Sequence, residues 1–255
     1  MKIYSYNVNG IRAAMKKGFM EWLQESGADV VCLQETKAQT DQIPILDFAS
    51  AGYKCYCLSA QKKGYSGVAI LTKNEPEGKS FGMGIEKYDL EGRMIRIDFP
   101  SISIASIYHP AGVSGEERQA FKIQWLNDFQ LYTKELEKQI PNLILCGDYN
   151  IAHEEIDIHD PKGNANHSGF LPEERQWMTD FINSGFTDSF RYINPQQKDA
   201  YSWWSYRANS RMKNKGWRLD YCMVSNAIKD KIIDAGIEPQ AMQSDHCPVW
   251  VEIKD

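Results

Sequence analysis

The chain has 255 residues, 42% hydrophobic and 25% charged, with 29 Lys and Arg against 34 Asp and Glu for a formal net charge of −5. This composition excludes the disordered, collagenous and small disulfide-stapled classes, and since no apolar run exceeds four residues it offers no helix able to span a bilayer. Net negative charge argues at first against a polyanionic partner, because it repels phosphate.

In chain order, short β-rich runs fall at 2–7, 29–34, 68–72, 94–99, 102–108, 143–146, 219–224 and 249–253. Most are rich in Val, Ile or aromatics and bounded by Gly, Pro, Asn or Asp. The adjacent runs 94–99 and 102–108 predict a hairpin, and hence mixed sheets. A helix is expected over 116–138, where Phe121, Trp125, Phe129 and Leu136 share one face. Ser114 is placed to start it, Glu116 and Glu117 suit its first turn, and Pro141 ends it. Another follows Pro172, with Trp177, Met178 and Phe181 facing inward. The N-terminal residues form no secretory signal. Cys32, Cys55, Cys57, Cys146, Cys222 and Cys247 lack zinc-site spacing and lie mostly inside apolar runs, which predicts free thiols in a reducing, cytoplasmic compartment. With no linker or charge run to divide it, the chain reads as one α/β domain over 1–255.

Polar residues stand where a core has no use for them. The first strand ends in Asn7-Val8-Asn9-Gly10, the second in Gln34-Glu35-Thr36, and the run from Leu143 in Gly147-Asp148-Tyr149-Asn150. Asp220 lies at the start of another strand, and Ser244-Asp245-His246-Cys247-Pro248 leads into the last. Singly, each is explained by a turn or a cap. Together they place hard oxygen ligands, suited to Mg²⁺ or Mn²⁺, beside a histidine. Phosphate-ester hydrolysis needs that set: charge neutralisation, a base for water and donors to phosphate oxygens.

These motifs carry a resemblance. Asn7-Val8-Asn9-Gly10-Ile11-Arg12, Leu33-Gln34-Glu35-Thr36-Lys37, Gly64-Tyr65-Ser66-Gly67-Val68-Ala69, Glu91-Gly92-Arg93, Gly147-Asp148-Tyr149-Asn150, Pro161-Lys162-Gly163-Asn164, Gly216-Trp217-Arg218-Leu219-Asp220-Tyr221 and Ser244-Asp245-His246-Cys247-Pro248 occur in one order. Nearly end to end, the chain resembles the exonuclease III family of apurinic/apyrimidinic (AP) endonucleases, within the endonuclease/exonuclease/phosphatase superfamily. The resemblance implies a DNase I-like four-layer α/β sandwich, two packed mixed β-sheets flanked by helices. It implies Glu35 as the main Mg²⁺ ligand (Mn²⁺ a substitute), with Asn7, Asn9 and Asp245 close to the metal. Asp148, assisted by Asn150, would activate water; His246, oriented by Asp220, would donate to a phosphate oxygen; Tyr108 would contact the phosphate or help the departing oxygen. Ala111 departs from the amide or hydroxyl side chain common in the family, leaving Ser114 or the Gly112 N–H as substitutes.

The superfamily also includes phosphoesterases acting on phosphoinositides and phospholipids, so the substrate must be argued separately. Between Tyr201 and Tyr221, Trp203, Trp204, Tyr206 and Trp217 interleave with Arg207, Arg211, Lys213, Lys215 and Arg218, a nucleic-acid pattern in which rings stack and cations meet phosphates. The resemblance makes Trp203, Trp217 and Leu219 a pocket for a flipped-out, base-free sugar. Arg207 would lean into the duplex, while Lys162, Asn164 and His167 would touch the backbone. The expected activity is Mg²⁺-dependent incision 5′ to abasic sites in duplex DNA, as in base excision repair, leaving a 3′-hydroxyl. Clearing of blocked 3′ ends and 3′-to-5′ exonuclease action stay open, and a monomer without membrane attachment is expected. A phospholipid esterase and a catalytically silent DNA binder are the alternatives. Assigning Glu35, Asp148, Asp220 and Asp245 to the metal site leaves a balance of −1 elsewhere, so the acidic total no longer argues against DNA.

Overall fold

The computed structural model describes residues 1–254. In chain order they form β1 (Lys2–Asn7), α1 (Ile11–Met15), α2 (Phe19–Glu25), β2 (Val30–Gln34), α3 (Ile45–Ser50), β3 (Lys54–Leu58), β4 (Val68–Thr72), β5 (Gly78–Phe81), α4 (Glu86–Asp89), β6 (Met94–Asp98), β7 (Ser103–Tyr108), α5 (Glu116–Gln139), β8 (Leu143–Asp148), α6 (Pro172–Asn183), β9 (Phe186–Asp188), α7 (Ser189–Ile193), β10 (Asp220–Ser225), β11 (Ile232–Ile237) and β12 (Val249–Ile253). Among the described residues these strands make two six-stranded sheets, ordered β11-β12-β1-β2-β4-β3 and β5-β6-β7-β8-β10-β9. Both are mixed: β1 runs parallel to β2 and β7 to β8, while β6–β7 is the expected antiparallel hairpin.

Side-chain alternation builds the four layers. Ile3, Cys32 and Ile70 from one sheet meet Ile97, Ile104 and Ile144 from the other across the interface between sheets. Their chain neighbours face outward, Tyr4, Val31 and Leu71 onto α1, α2 and α3, and Ala105, Leu145 and Met223 onto α5 and α6. Central strands are therefore buried on both faces, so they read as continuous apolar runs. Gly147 permits close approach of β7 and β8, because a Cβ there would run into the Ile107 carbonyl. All six cysteines are free thiols.

The start of α5 differs from expectation. Gly115, at φ 102°, precedes the first helical residue, and no side chain caps it. Ser114 is exposed one residue further out. A glycine reaches that backbone conformation without the strain a serine would carry.

Candidate active site

The polar strand ends converge because of topology. β1, β2, β7 and β8 all finish at one end of the sandwich, where antiparallel β10 begins, with Asp220 opposite Asp148 and Tyr108 beside Asp148. Asp245 and His246 arrive there just before β12, the antiparallel neighbour of β1. Asn9, Glu35, Lys37 and Asn150 turn the chain at these ends with φ between 45° and 52°. Non-glycine residues held in the left-handed region cost about 1–3 kcal/mol each and gather at functional sites.

A dense hydrogen-bond network results. Asn7 Nδ2 donates to both Glu35 Oε1 and Asp148 Oδ2 at 2.8 Å, and the Asn9 amide donates to Asp245 Oδ1 at 2.8 Å. The backbone N–H of Asn150 donates to Asp148 Oδ1 at 2.8 Å, while its side-chain amide donates to the His109 carbonyl at 2.9 Å and to Asp148 Oδ2 at 3.2 Å. His246 Nδ1 pairs with Asp220 Oδ2 at 2.8 Å, and its Nε2 lies 3.9 Å from Asp148 Oδ2. The Tyr108 hydroxyl faces the charges of Glu35 and Asp148.

Charge decides what these groups can do. Burial, with Asp220 and Glu35 nearby, pushes the Asp148 pKa up to about 7 against the pull of His246. Burial opposes charge on His246 too, but Asp220, Asp148 and Asp245 prevail and raise it to about 10. The imidazole is thereby held towards its cationic form, in which both ring nitrogens are N–H donors. Burial also works against Glu35, yet Lys37 and Asn7 hold its pKa below the ordinary value; the Lys37 ammonium sits 2.7 Å from Glu35 Oε2 and also donates to Asn9 Oδ1. Burial, Glu35 and Asp148 keep Tyr108 a phenol.

Ligand atoms of Glu35, Asp148 and His246 lie within 4.8 Å of one another. Lys37 pairs with Glu35 and His246 with Asp220, and the further carboxylates of Asp148 and Asp245 leave an excess of acidic oxygen that suits a divalent ion. Oxygen donors, with the one histidine engaged elsewhere, favour a hard cation.

The site opens into a cleft of about 660 Å³, lined among others by Tyr108, Trp203, Trp217, Leu219, Asn164 and His167. Trp203 and Trp217 meet edge-to-face at 6.1 Å and pack with Leu219, Ile158 and Phe170. Trp203 is pinned to the polar centre, its Nε1 donating to Asp245 Oδ2 at 3.2 Å. Ala111 and Gly112 line the cleft. Arg207 and Lys162 are exposed outside this lining, and the Asn164 amide is engaged with the His159 and Asp160 carbonyls of its own loop.

Two members of the expected basic face have other work. Arg218 is buried, with its guanidinium on Asp157 at 2.8 and 3.0 Å and on Asp188 at 2.8 Å. Arg211 donates to the carbonyls of Ser244, Pro239 and Ala241 and lies over the Trp204 ring. Solvent-facing positive charge in this stretch reduces to Arg207, Lys213 and Lys215. Sequence reasoning assigned no role to Lys37, although its place two residues after Glu35 at a strand end was a signal. It quoted Arg93 within a motif but gave it no role; Arg93 packs 4.9 Å over the Tyr108 ring and donates to the Tyr108 carbonyl.

Known proteins share this sequence and fold. Residues 4–246 match the pattern of the Endonuclease/Exonuclease/phosphatase family. The chain is 46% identical to an exodeoxyribonuclease of Bacillus subtilis, covering 98% of each chain. It is 44% identical to the DNA repair nuclease APEX1 of Danio rerio, covering 98% of this chain and 81% of that one. Its fold superposes on an AP endonuclease from Archaeoglobus fulgidus with a TM-score of 0.92, at 31% identity over the full length of both.

Proposed function

Since the chain belongs to the Endonuclease/Exonuclease/phosphatase family, we propose that it is a DNA-repair hydrolase cutting the phosphodiester 5′ to abasic sites in duplex DNA. The observation that carries this reading is the apolar Trp203–Trp217–Leu219 wall set directly beside the carboxylate–histidine centre. A base-free sugar is cheap to extrude, because nothing is left to unstack. The same hydrolysis at a chain end would give exonuclease activity, which the name of the Bacillus relative states for that protein, or would clear blocked 3′ ends. The thiols, all free, suit the cytoplasm, and we read the enzyme as a monomer.

Glu35, with Asp245, Asn7 and Asn9 nearby, would hold Mg²⁺, which supplies charge neutralisation at the phosphate when bound. Asp148, held by Asn7 and the Asn150 N–H, takes the proton of the attacking water. The water oxygen bonds to phosphorus, the bond from phosphorus to O3′ breaks, and O3′ takes a proton from solvent to become the 3′-hydroxyl while Asp148 returns its proton to solvent. His246⁺, fixed by Asp220, donates from Nε2 to a non-bridging oxygen as charge builds there. Tyr108, kept protonated, is the other donor beside the phosphate position. His246→Asn should lower turnover about 10²-fold or more with a much smaller effect on affinity for uncut DNA. Equal loss in both would remove its transition-state role.

A duplex with one tetrahydrofuran abasic analogue should be incised in Mg²⁺ and left intact in EDTA. Undiminished cutting in EDTA would refute metal dependence. A band shift without cutting would indicate a silent binder, and absence of any interaction would return the phospholipid esterase.

A further inference from the structure

Lys122 of α5 and Glu174 of α6 are both fully buried and meet at 2.6 Å. A buried ion pair is weak evidence of stabilisation, since an apolar replacement of similar shape is often neutral or better. What the pair touches is more informative. The Lys122 ammonium also donates to the Asn150 carbonyl at 2.8 Å, the backbone of the turn whose N–H holds Asp148. Glu174 accepts from the Gly169 and Leu171 N–H groups at 2.6 and 3.1 Å and from the Ser168 hydroxyl at 3.2 Å. That loop forms the other side of the cleft: a Cβ on Gly169, at φ +97°, would sit 2.9 Å from the Trp217 ring. Ala152 N–H donates to the Gly169 carbonyl at 2.8 Å and closes the circuit between the two segments.

We propose that Lys122 and Glu174 are positioning residues that lock the water-activating turn at Asp148–Asn150 to the lesion-side loop at Ser168–Gly169, so that fit of the sugar and alignment of the base are set together. The proposal rests on the abasic-site reading above. The buried pair supplies the common anchor, from the two helices that cover this sheet. Removing one partner would leave an unpaired buried charge, so single variants report mainly on folding.

The test uses the double variant Lys122→Met/Glu174→Gln, in which the amide keeps an acceptor for Gly169 but the tether to Asn150 is gone. It also uses Gln119→Leu, which removes the 3.0 Å bond from Gln119 Nε2 to Glu174 and the 2.7 Å bond from Ser168 to Gln119 without disturbing a charge. Single-turnover cleavage with enzyme in excess is insensitive to the fraction of misfolded protein. The double variant should cut the abasic-analogue duplex roughly tenfold more slowly, the scale of a sub-ångström misplacement. Its preference for abasic over intact duplex, measured as a Kd ratio in EDTA, should fall severalfold. Gln119→Leu should lower the preference in the same direction. An unchanged cleavage rate in the folded double variant, or an unchanged Kd ratio in either variant, overturns the proposal. Failure of the wild-type chain to cut the duplex would instead overturn the functional reading.

Discussion

Asp148→Asn should abolish turnover by about 10²–10⁴-fold, the range expected for removal of a positioned general base, while leaving the fold intact. The reason lies in the neighbourhood of the carboxylate. Asp148 is buried, with Asp220 and Glu35 close by, and its pKa is raised to about 7, well above the 3.9 of an unfolded chain. An acid with a raised folded pKa costs stability once the pH rises from its unfolded value through its folded one. An amide of the same shape escapes that cost. The metal-free variant should therefore melt at or above wild type at pH 8, and the gap should close as the pH is lowered towards 4. Mg²⁺ should raise the melting temperature of the wild type more than that of the variant, because a divalent ion relieves repulsion the amide no longer suffers. Retention of wild-type turnover with Mg²⁺ in excess would remove Asp148 as the base.

Arg218→Met should destabilise the protein by about 3–5 kcal/mol, the usual cost of stripping one partner from a buried ion pair. Arg218 and Arg191 together hold Asp157, and against the penalty of burial they keep its pKa far below the carboxylate range. Asp188, left without Arg218, would keep only its capping bonds to Phe190 and Arg191 at the start of α7. The pH dependence follows from the depressed value: in the wild type this contribution is complete above about pH 4 and is lost as acid protonates Asp157. Thermal melts between pH 2 and 7 should thus show a smaller acid-induced loss in the variant. Because Arg218 points away from the cleft, the slope of log Kd against log salt for DNA should not change. A slope reduced by about 0.9 would mean that Arg218 contacts a phosphate after all.

That residue shows how the sequence misleads. In Trp217-Arg218-Leu219-Asp220 the side chains alternate as they approach β10. Trp217 and Leu219 line the cleft while Arg218 points to Asp157. Counting basic residues along the segment ignored this period of two. Arg211 was miscounted for another reason: its partners are the carbonyls of Ser244, Pro239 and Ala241, and distant loop backbones leave no mark in a local pattern. By contrast, Asn7, Glu35, Asp148, Asp220, Asp245 and His246 were legible because each stands at or beside the end of an apolar strand, where a core has no use for a polar side chain.

The strands that went unread have one thing in common. β3, β5, β9 and β11 are the four sheet edges. An edge strand has one neighbour, tolerates polar side chains and is often short. Lys54, Lys79 and Asp234 are exposed in such strands. The continuous apolar run that identifies a central strand comes from burial on both faces, which edges lack.

The pairing of β1 with β12 has a consequence for how the enzyme is made. Asn7 and Asn9 leave the ribosome first, but Asp245, His246 and the strand that neighbours β1 in the sheet emerge more than 230 residues later. Contacts so distant in sequence form late and slowly. A nascent chain that has not passed His246 lacks the imidazole paired with Asp220, the carboxylate held by Asn9 and the seam that closes the first sheet. The site of such a chain is assembled only once these distant parts have met.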